Sequence, residues 1–412
     1  RQHAMGDFRA LLGAVAKSPA MLHYLDNWQS VADSGRPVLQ PIPPQRAARR
    51  AQAVRRAVQL RGATSEQMAR VEALQRRRRG LNENYARELM ELHTLGVDGG
   101  YSQQDVVEVA RALTGWTLER GAQGGGFVFR PQAHDAGAKT ILGVRFPAGR
   151  GQEEGEAVLD LLAHHPRTAE FIARKLVQRF VSDSPPPALV ARAAERFRLS
   201  RGNIRETVRT IVTSPEFFSA DAYRAKVKSP FELVVSTLRA LDAAPDVTAR
   251  TAQLVSRLGQ PLFGHQAPNG YPETGEAWMN TGAILNRVNF GLTVAGDRVP
   301  GVRLAQWPLY DSLRTLDRPA QVDGVIRALL GGAVSSDTRE VLISGRNPFL
   351  AARGGADVLT SLDDADSTYA PDPMTPAMRP RRRGNLVGSA SAPTGLAQIV
   401  GLALGAPEFQ RR

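Results

Sequence analysis

The chain has 412 residues, enough for a large core in one extended domain or two. Its apolar content of 42% is ordinary for a globular protein, and no apolar run reaches the roughly 18 residues of a transmembrane helix. The absence of cysteine excludes disulfides and thiolate chemistry, and of the net charge of +13, residues 45–80 alone supply +9 through eleven arginines and two glutamates. One charged run of this kind reads as a solvated face, so nucleic acid is an unlikely partner.

Phe8, Leu11, Leu12 and Val15 space a first amphipathic helix. Ser18-Pro19 restarts a second, with serine as the cap and proline where its missing N–H is not needed. Residues 29–44 hold four prolines and read as a linker. Residues 46–79, rich in arginine and alanine, read as an exposed insertion that the fold can lose.

Leu81 to Gly96 is the densest stretch and reads as one helix. Leu81, Tyr85, Leu89 and Leu92 share an arc, with Leu95 beside them. Glu83, Arg87 and Glu91 make an i,i+4 charge ladder on the other side. Glu88 projects into the apolar arc, where a carboxylate must be paired, hydrogen-bonded or protonated. It is expected to be buried, either in an ion pair with Arg or Lys of a neighbouring helix or as a functional carboxylate. His93, on the same arc, reads as a core histidine.

Ser102 and Asp105 have capping-box spacing before a helix through Leu113. Phe127–Arg130 and Thr140–Leu142 then read as two short strands of one hairpin, joined by Pro131 to Lys139. From Gln152 onward the pattern is helical, with Ser-Pro starts at Ser214 and Ser229. Residues 259–281 form a loop rich in glycine, proline and aromatics, of a length that is often functional. Thr213–Phe217 and Gly405–Phe409 share a Pro-Glu-Phe pattern, which a faint internal repeat and a repeated helix-start signal explain equally well.

The best catalytic candidates are His134, Asp135 and Lys139: an imidazole, a carboxylate and an ammonium group on one short loop. The plain alternative is a hairpin turn in which Asp135 and Gly137 serve the backbone. Glu88 joins the catalytic set. Trp116 and Trp278, with Arg87 and Asn280, are the substrate-binding candidates, the indoles as apolar walls for a sugar. One site is expected to gather the His134–Lys139 loop, the polar end of the 81–96 helix and the Trp278 loop. His134→Ala is then expected to remove function at little cost in melting temperature. A metal held by His134 and Asp135 is the weaker reading and no metal ligands are assigned, because the seven histidines offer no H-x-x-x-H pair and a site would have to be assembled across distant segments. There is no phosphate loop, dinucleotide fingerprint or serine elbow, and no cofactor is indicated.

Asn82 to Gly96, Ala112-Leu-Thr-Gly-Trp-Thr117, His134 to Lys139, Lys228 to Leu233, Trp278 to Thr281 and Ala406 to Arg411 together resemble a bacterial family of uncharacterised proteins, domain-of-unknown-function family 1800. The resemblance covers most of the chain. It implies export to the periplasm or cell exterior and a natural start upstream of Arg1. Members are often encoded beside domain-of-unknown-function family 1501 proteins, which resemble sulfatases and phosphatases.

The expected fold is therefore mainly α: a multi-helical globular domain with one small β-hairpin and long loops. Residues 1–28 and 81–344 would form the helical core, 29–80 the basic insertion, 345–394 a mobile low-complexity loop and 395–412 a C-terminal docking helix. The expected function is that of an exported enzyme acting on a glycan or other anionic polar substrate. The alternative is a non-catalytic binding or assembly partner of the sulfatase-like protein.

Overall fold

Capping residues open most helices where the sequence places them. In the computed structural model, α1 (Phe8–Ala16) starts at Asp7, whose carboxylate accepts from the Ala10 N–H at 2.8 Å. Ser18 caps α2 (Pro19–Tyr24), and Asn82 caps α3 (Glu83–Glu91). Ser102 and Asp105 form the full capping box of α4 (Gln103–Ala112). The structure describes residues 2–43, 45, 46, 48, 49, 52, 53, 56, 80–119, 125–244, 248–346 and 393–412. Most of the arginine-rich segment and most of 345–394 lie outside them.

The fold is mainly α. Among the described residues there are sixteen α-helices and two sheets of two antiparallel strands each. They form two compact units, Arg1–Phe218 and Ser219–Arg412. No described helix is long and apolar enough to cross a membrane.

In the first unit, the strands β1 (Trp116–Leu118), β2 (Phe127–Phe129), β3 (Lys139–Ile141) and β4 (Val144–Phe146) correct the single expected hairpin. β2 pairs back with β1, and β3 pairs forward with β4. The segment between β2 and β3 therefore joins two separate ribbons. The helices α5 (Gln152–Ala163), α6 (Pro166–Phe180), α7 (Pro187–Leu199) and α8 (Ile204–Val212) complete the unit. α5 packs against α1, where Arg9 and Lys17 both bind Glu156.

The expected helix from Leu81 to Gly96 is shorter. It ends at Glu91, and residues 92–95 form a turn. The cause is local: the Leu95 N–H reaches the Met90 carbonyl at 2.7 Å, and the buried Thr94 hydroxyl donates to Leu89 O at 2.8 Å. These bonds take up the last carbonyls of the helix, so it cannot continue. Tyr85 and Leu89 are buried, as their spacing requires.

The second unit contains α9 (Pro230–Ala240), α10 (Arg250–Arg257), α11 (Thr281–Ala295), α12 (Tyr310–Arg314), α13 (Arg318–Leu329), α14 (Ser336–Ser344), α15 (Gly395–Gly405) and α16 (Pro407–Gln410). Ser229 and Glu232 box the start of α9. α11 and α15 cross at Gly291 and Gly401: a Cβ on Gly291 would meet Gly401 O at 2.4 Å, so only glycine permits this approach. The chain end is built in. Lys228 N–H donates to Gln410 O at 2.8 Å, and Arg412 N–H donates to Lys226 O at 2.8 Å. Buried Arg287 bridges the two segments, donating to Gln410 Oε1 and to Lys228 O at 2.8 Å each. Two sequence motifs far apart in the chain are thus one structural clamp. The proposed Pro-Glu-Phe parallel holds only in part: Pro407 opens α16, while Ser214-Pro215 starts turns and no α-helix.

Candidate functional site

The link between β2 and β3 carries His134 and Asp135, and residues 30–40 cover it. Ala32 N–H donates to Ala133 O at 2.8 Å, Leu39 N–H to His134 O at 3.3 Å, and Ala136 N–H to Pro37 O at 2.8 Å. Val38 and Asp135 form a bridge. The stretch read as a linker is thus the lid over the candidate residues. His134 is 0% exposed, Asp135 1% and Lys139 2%. The open hairpin loop expected from the sequence is corrected to a closed interior.

Burying these charges requires partners, and two helices supply them. On α4, Arg111 donates through Nε to Asp135 Oδ2 at 2.8 Å and through Nη2 to Oδ1 at 3.2 Å. Its Nη1 donates to Glu108 Oε2 at 2.6 Å, one turn earlier on the same helix. Asp135 Oδ1 also accepts the Gly137 N–H at 2.8 Å. Glycine at 137 leaves room for this pair: a Cβ would meet Arg111 Nη2 at 2.9 Å and Asp135 Oδ1 at 3.1 Å and push them aside. Burial by itself would raise the Asp135 carboxyl, but Arg111, the Gly137 N–H and Lys139 outweigh it and hold the group below its ordinary range.

α5 supplies Glu154, 1% exposed. Lys139 Nζ donates to Asp135 O at 2.7 Å and to Gly137 O at 2.9 Å, and stands 2.7 Å from Glu154 Oε2. His134 Nε2 is 3.3 Å from the same oxygen. Both contacts are at ion-pair distance but lack hydrogen-bond alignment: neither Nε2 nor Oε2 has a hydrogen-bond partner. The tautomer follows from the other side of the ring. Nδ1 lies 2.9 Å from Thr114 O, a pure acceptor, so Nδ1 carries a proton. Thr114 Oγ1 donates to Arg111 O and accepts the Asp135 N–H, so it has no proton left for Nδ1.

Of the other predicted site residues, Glu88, Arg87 and Trp116 take no part in this cluster. Glu88 is half-buried, not buried, and forms no ion pair among the described residues, which corrects the expected pairing. Desolvation first, then Glu91, raises its carboxyl, with Arg87 opposing. Arg87 donates to Gln103 Oε1 at 2.7 Å. Trp116 is fully buried, edge-on to Phe127 and against Gly155, so it presents no wall to a ligand. Trp278 and Asn280 lie in the second unit. Trp278 donates from Nε1 to Pro272 O at 3.1 Å, and Asn280 caps α11. Sequence reasoning missed Arg111, Glu108 and Glu154. The i,i+3 spacing of Glu108 and Arg111 was a usable signal; Glu154 resembles any acidic residue in a first helical turn.

Two clefts remain open. In the first unit, one of about 300 Å³ is lined by Gln104, Glu108, Ala138, Lys139, Thr140 and Arg145. The Lys139 side chain is spent inward, while exposed Arg145 has no ion-pair partner among the described residues. In the second unit, a cleft of about 290 Å³ includes Trp278 and Asn280. Among the described residues, no group of three or more His, Asp or Glu side chains converges as metal ligands would.

The family described as Protein of unknown function (DUF1800) matches residues 1–411. The chain belongs to this family. No curated protein and no solved structure matches it. The DUF1800 match takes in all of the cluster residues as well as both clefts.

Proposed function

We propose that this DUF1800 chain is an exported bacterial binding or assembly protein that takes a glycan or other anionic polar ligand in the cleft of its first unit. One observation carries the reading: every strong acid–base candidate around His134 is closed to solvent and engaged by neighbouring charges. General acid–base work needs such a group within reach of the substrate. Besides the paired Glu108 and Lys139, the cleft is lined by the Arg145 guanidinium, the Thr140 hydroxyl and Gln104, whose Nε2 donates to Glu108 Oε1 at 2.7 Å. The cysteine-free composition suits an oxidising compartment. A sulfatase-like family 1501 protein is the proposed assembly partner.

Calorimetric titration with acidic and neutral oligosaccharides, followed by product analysis after long incubation, tests this. The expected result is saturable binding of an acidic ligand, weakened by Arg145→Glu, with no turnover. Turnover of any ligand, or binding indifferent to Arg145→Glu, overturns it.

A further inference from the structure

In the second unit, the loop after α10 folds into a braced aromatic stack. Tyr271 lies against His265, with ring centres 4.7 Å apart, and against Trp278 at 6.0 Å. Its hydroxyl donates to Pro261 O at 2.5 Å. Trp278 is itself pinned through its indole N–H to Pro272 O. This loop is therefore held by specific contacts, and the cleft of about 290 Å³ beside it has a rigid wall. That volume sits at the lower edge of small-molecule sites, about 300–1,000 Å³.

The lining divides into two kinds of surface. Ala283 and the narrow exposed margins of Leu258 and Trp278, 8% each, are apolar. Arg257, Asn280 and Asn286 are polar, with hydrogen-bonding capacity to spare. Asn280 uses only Oδ1, on the Ala283 N–H at 2.9 Å, and keeps its amide donors. Asn286 is half-buried, and its side chain has no hydrogen-bond partner among the described residues. Among the described residues Arg257 has no ion pair and is the one charged residue that lines the cleft. The Asn286 amide is open to the cleft and offers both donors and an acceptor to a ligand.

We infer that this cleft is a binding site for a single pyranose bearing a carboxylate, with its hydroxyls on Asn280 and Asn286 and its acid group on Arg257. The apolar wall takes the C–H face of the ring, the arrangement an aromatic and aliphatic surface offers a sugar. Among the described residues the lining holds one guanidinium and no carboxylate, which favours a sugar acid over a neutral or amino sugar. This site stands on residues of the second unit alone and does not depend on the first unit's cleft.

Glucuronate titration of the full chain, followed by two-dimensional nitrogen–proton NMR, tests it. Trp278→Phe assigns the indole signal. Glucuronate is expected to shift the Trp278 indole and Asn286 side-chain signals saturably, and glucose to bind more weakly. Arg257→Ala is expected to weaken glucuronate binding about tenfold, the effect of losing one charge-assisted hydrogen bond. Arg257 is exposed, so this variant leaves the fold intact. No shift of these signals at saturating sugar overturns the site. Equal binding of glucose, or indifference to Arg257→Ala, overturns the acidic assignment. The Thr140 amide signal reports the first unit's cleft separately, so failure of one site is distinguishable from failure of the other.

Discussion

His134 Nε2 lies 3.3 Å from Glu154 Oε2, and both side chains are closed to solvent. Thr114 O fixes the ring by accepting from Nδ1 at 2.9 Å, which turns Nε2 toward the carboxylate. Glu154 also neutralises Lys139 at 2.7 Å. Removing it leaves a buried ammonium with carbonyl partners alone. Glu154→Ala should cost about 3–5 kcal/mol, as expected when one partner of a buried pair is deleted. Urea unfolding measures this, and a loss below about 1 kcal/mol would show that the interior is wetter than described. For the same reason His134→Ala should now lower the melting temperature clearly, contrary to the expectation from sequence.

Asp135 links to acid stability. Its carboxyl is held below the ordinary value of 3.8, so the folded state binds its proton later than the unfolded chain does. Its contribution is complete above pH 3.8 and disappears as pH falls through the lowered native value. Asp135→Asn should weaken the fold at neutral pH and flatten the stability curve below pH 3.8. Equal acid slopes for variant and parent would refute the link.

Lys228 acts in the opposite direction. Burial, with Arg224 and Arg412 nearby and only Glu232 opposing, lowers it to about 8 from 10.5. The unfolded chain therefore holds this proton to higher pH than the folded protein. Its unfavourable contribution is full below about pH 8 and is relieved as pH rises from there toward 10.5. Its ammonium also donates to Phe409 O at 2.7 Å and lies 4.0 Å from that ring, so the clamp keeps some of its value. Relative to Lys228→Met, the parent should gain stability between pH 8 and 10.5, read by denaturant midpoints across that range.

Phe263 sits at a turn tip with φ of +59° and is wholly exposed. The Gly264 N–H to Pro261 O bond closes the turn at 3.0 Å. The left-handed conformation strains a non-glycine residue by about 1–2 kcal/mol, and an exposed ring offers no packing in return. Phe263→Gly should stabilise the protein by about 0.5–1 kcal/mol after the entropy of glycine is deducted. A clear loss of stability in thermal melts would mean that the ring packs against something in solution.

Local chemistry was legible in the residues themselves. The boxes at Ser102 and Ser229, the cap at Ser18 and the buried face of Tyr85 and Leu89 all follow from spacing within a few positions. The mainly α class follows for the same reason, since helix periodicity is a short-range property. The cluster could be half-read. His134, Asp135 and Lys139 were visible as neighbours along the chain, but their partners Arg111 and Glu154 come from α4 and α5, 24 and 20 positions from Asp135 and His134. Whether the loop was open or closed depended on residues 30–40, part of the proline-rich stretch 29–44 that read as a linker. Backbone hydrogen bonds to a segment about a hundred positions away leave no local pattern in sequence. The strand pairing went the same way: Phe127–Phe129 and Lys139–Ile141 were recognisable as strands, yet each chose its nearer neighbour on the other side. Propensity marks a strand, while its partner is set by tertiary packing. Tertiary structure alone therefore turned an apparent surface triad into a sealed charge network, because burial is a property of what covers a residue and not of the residue itself.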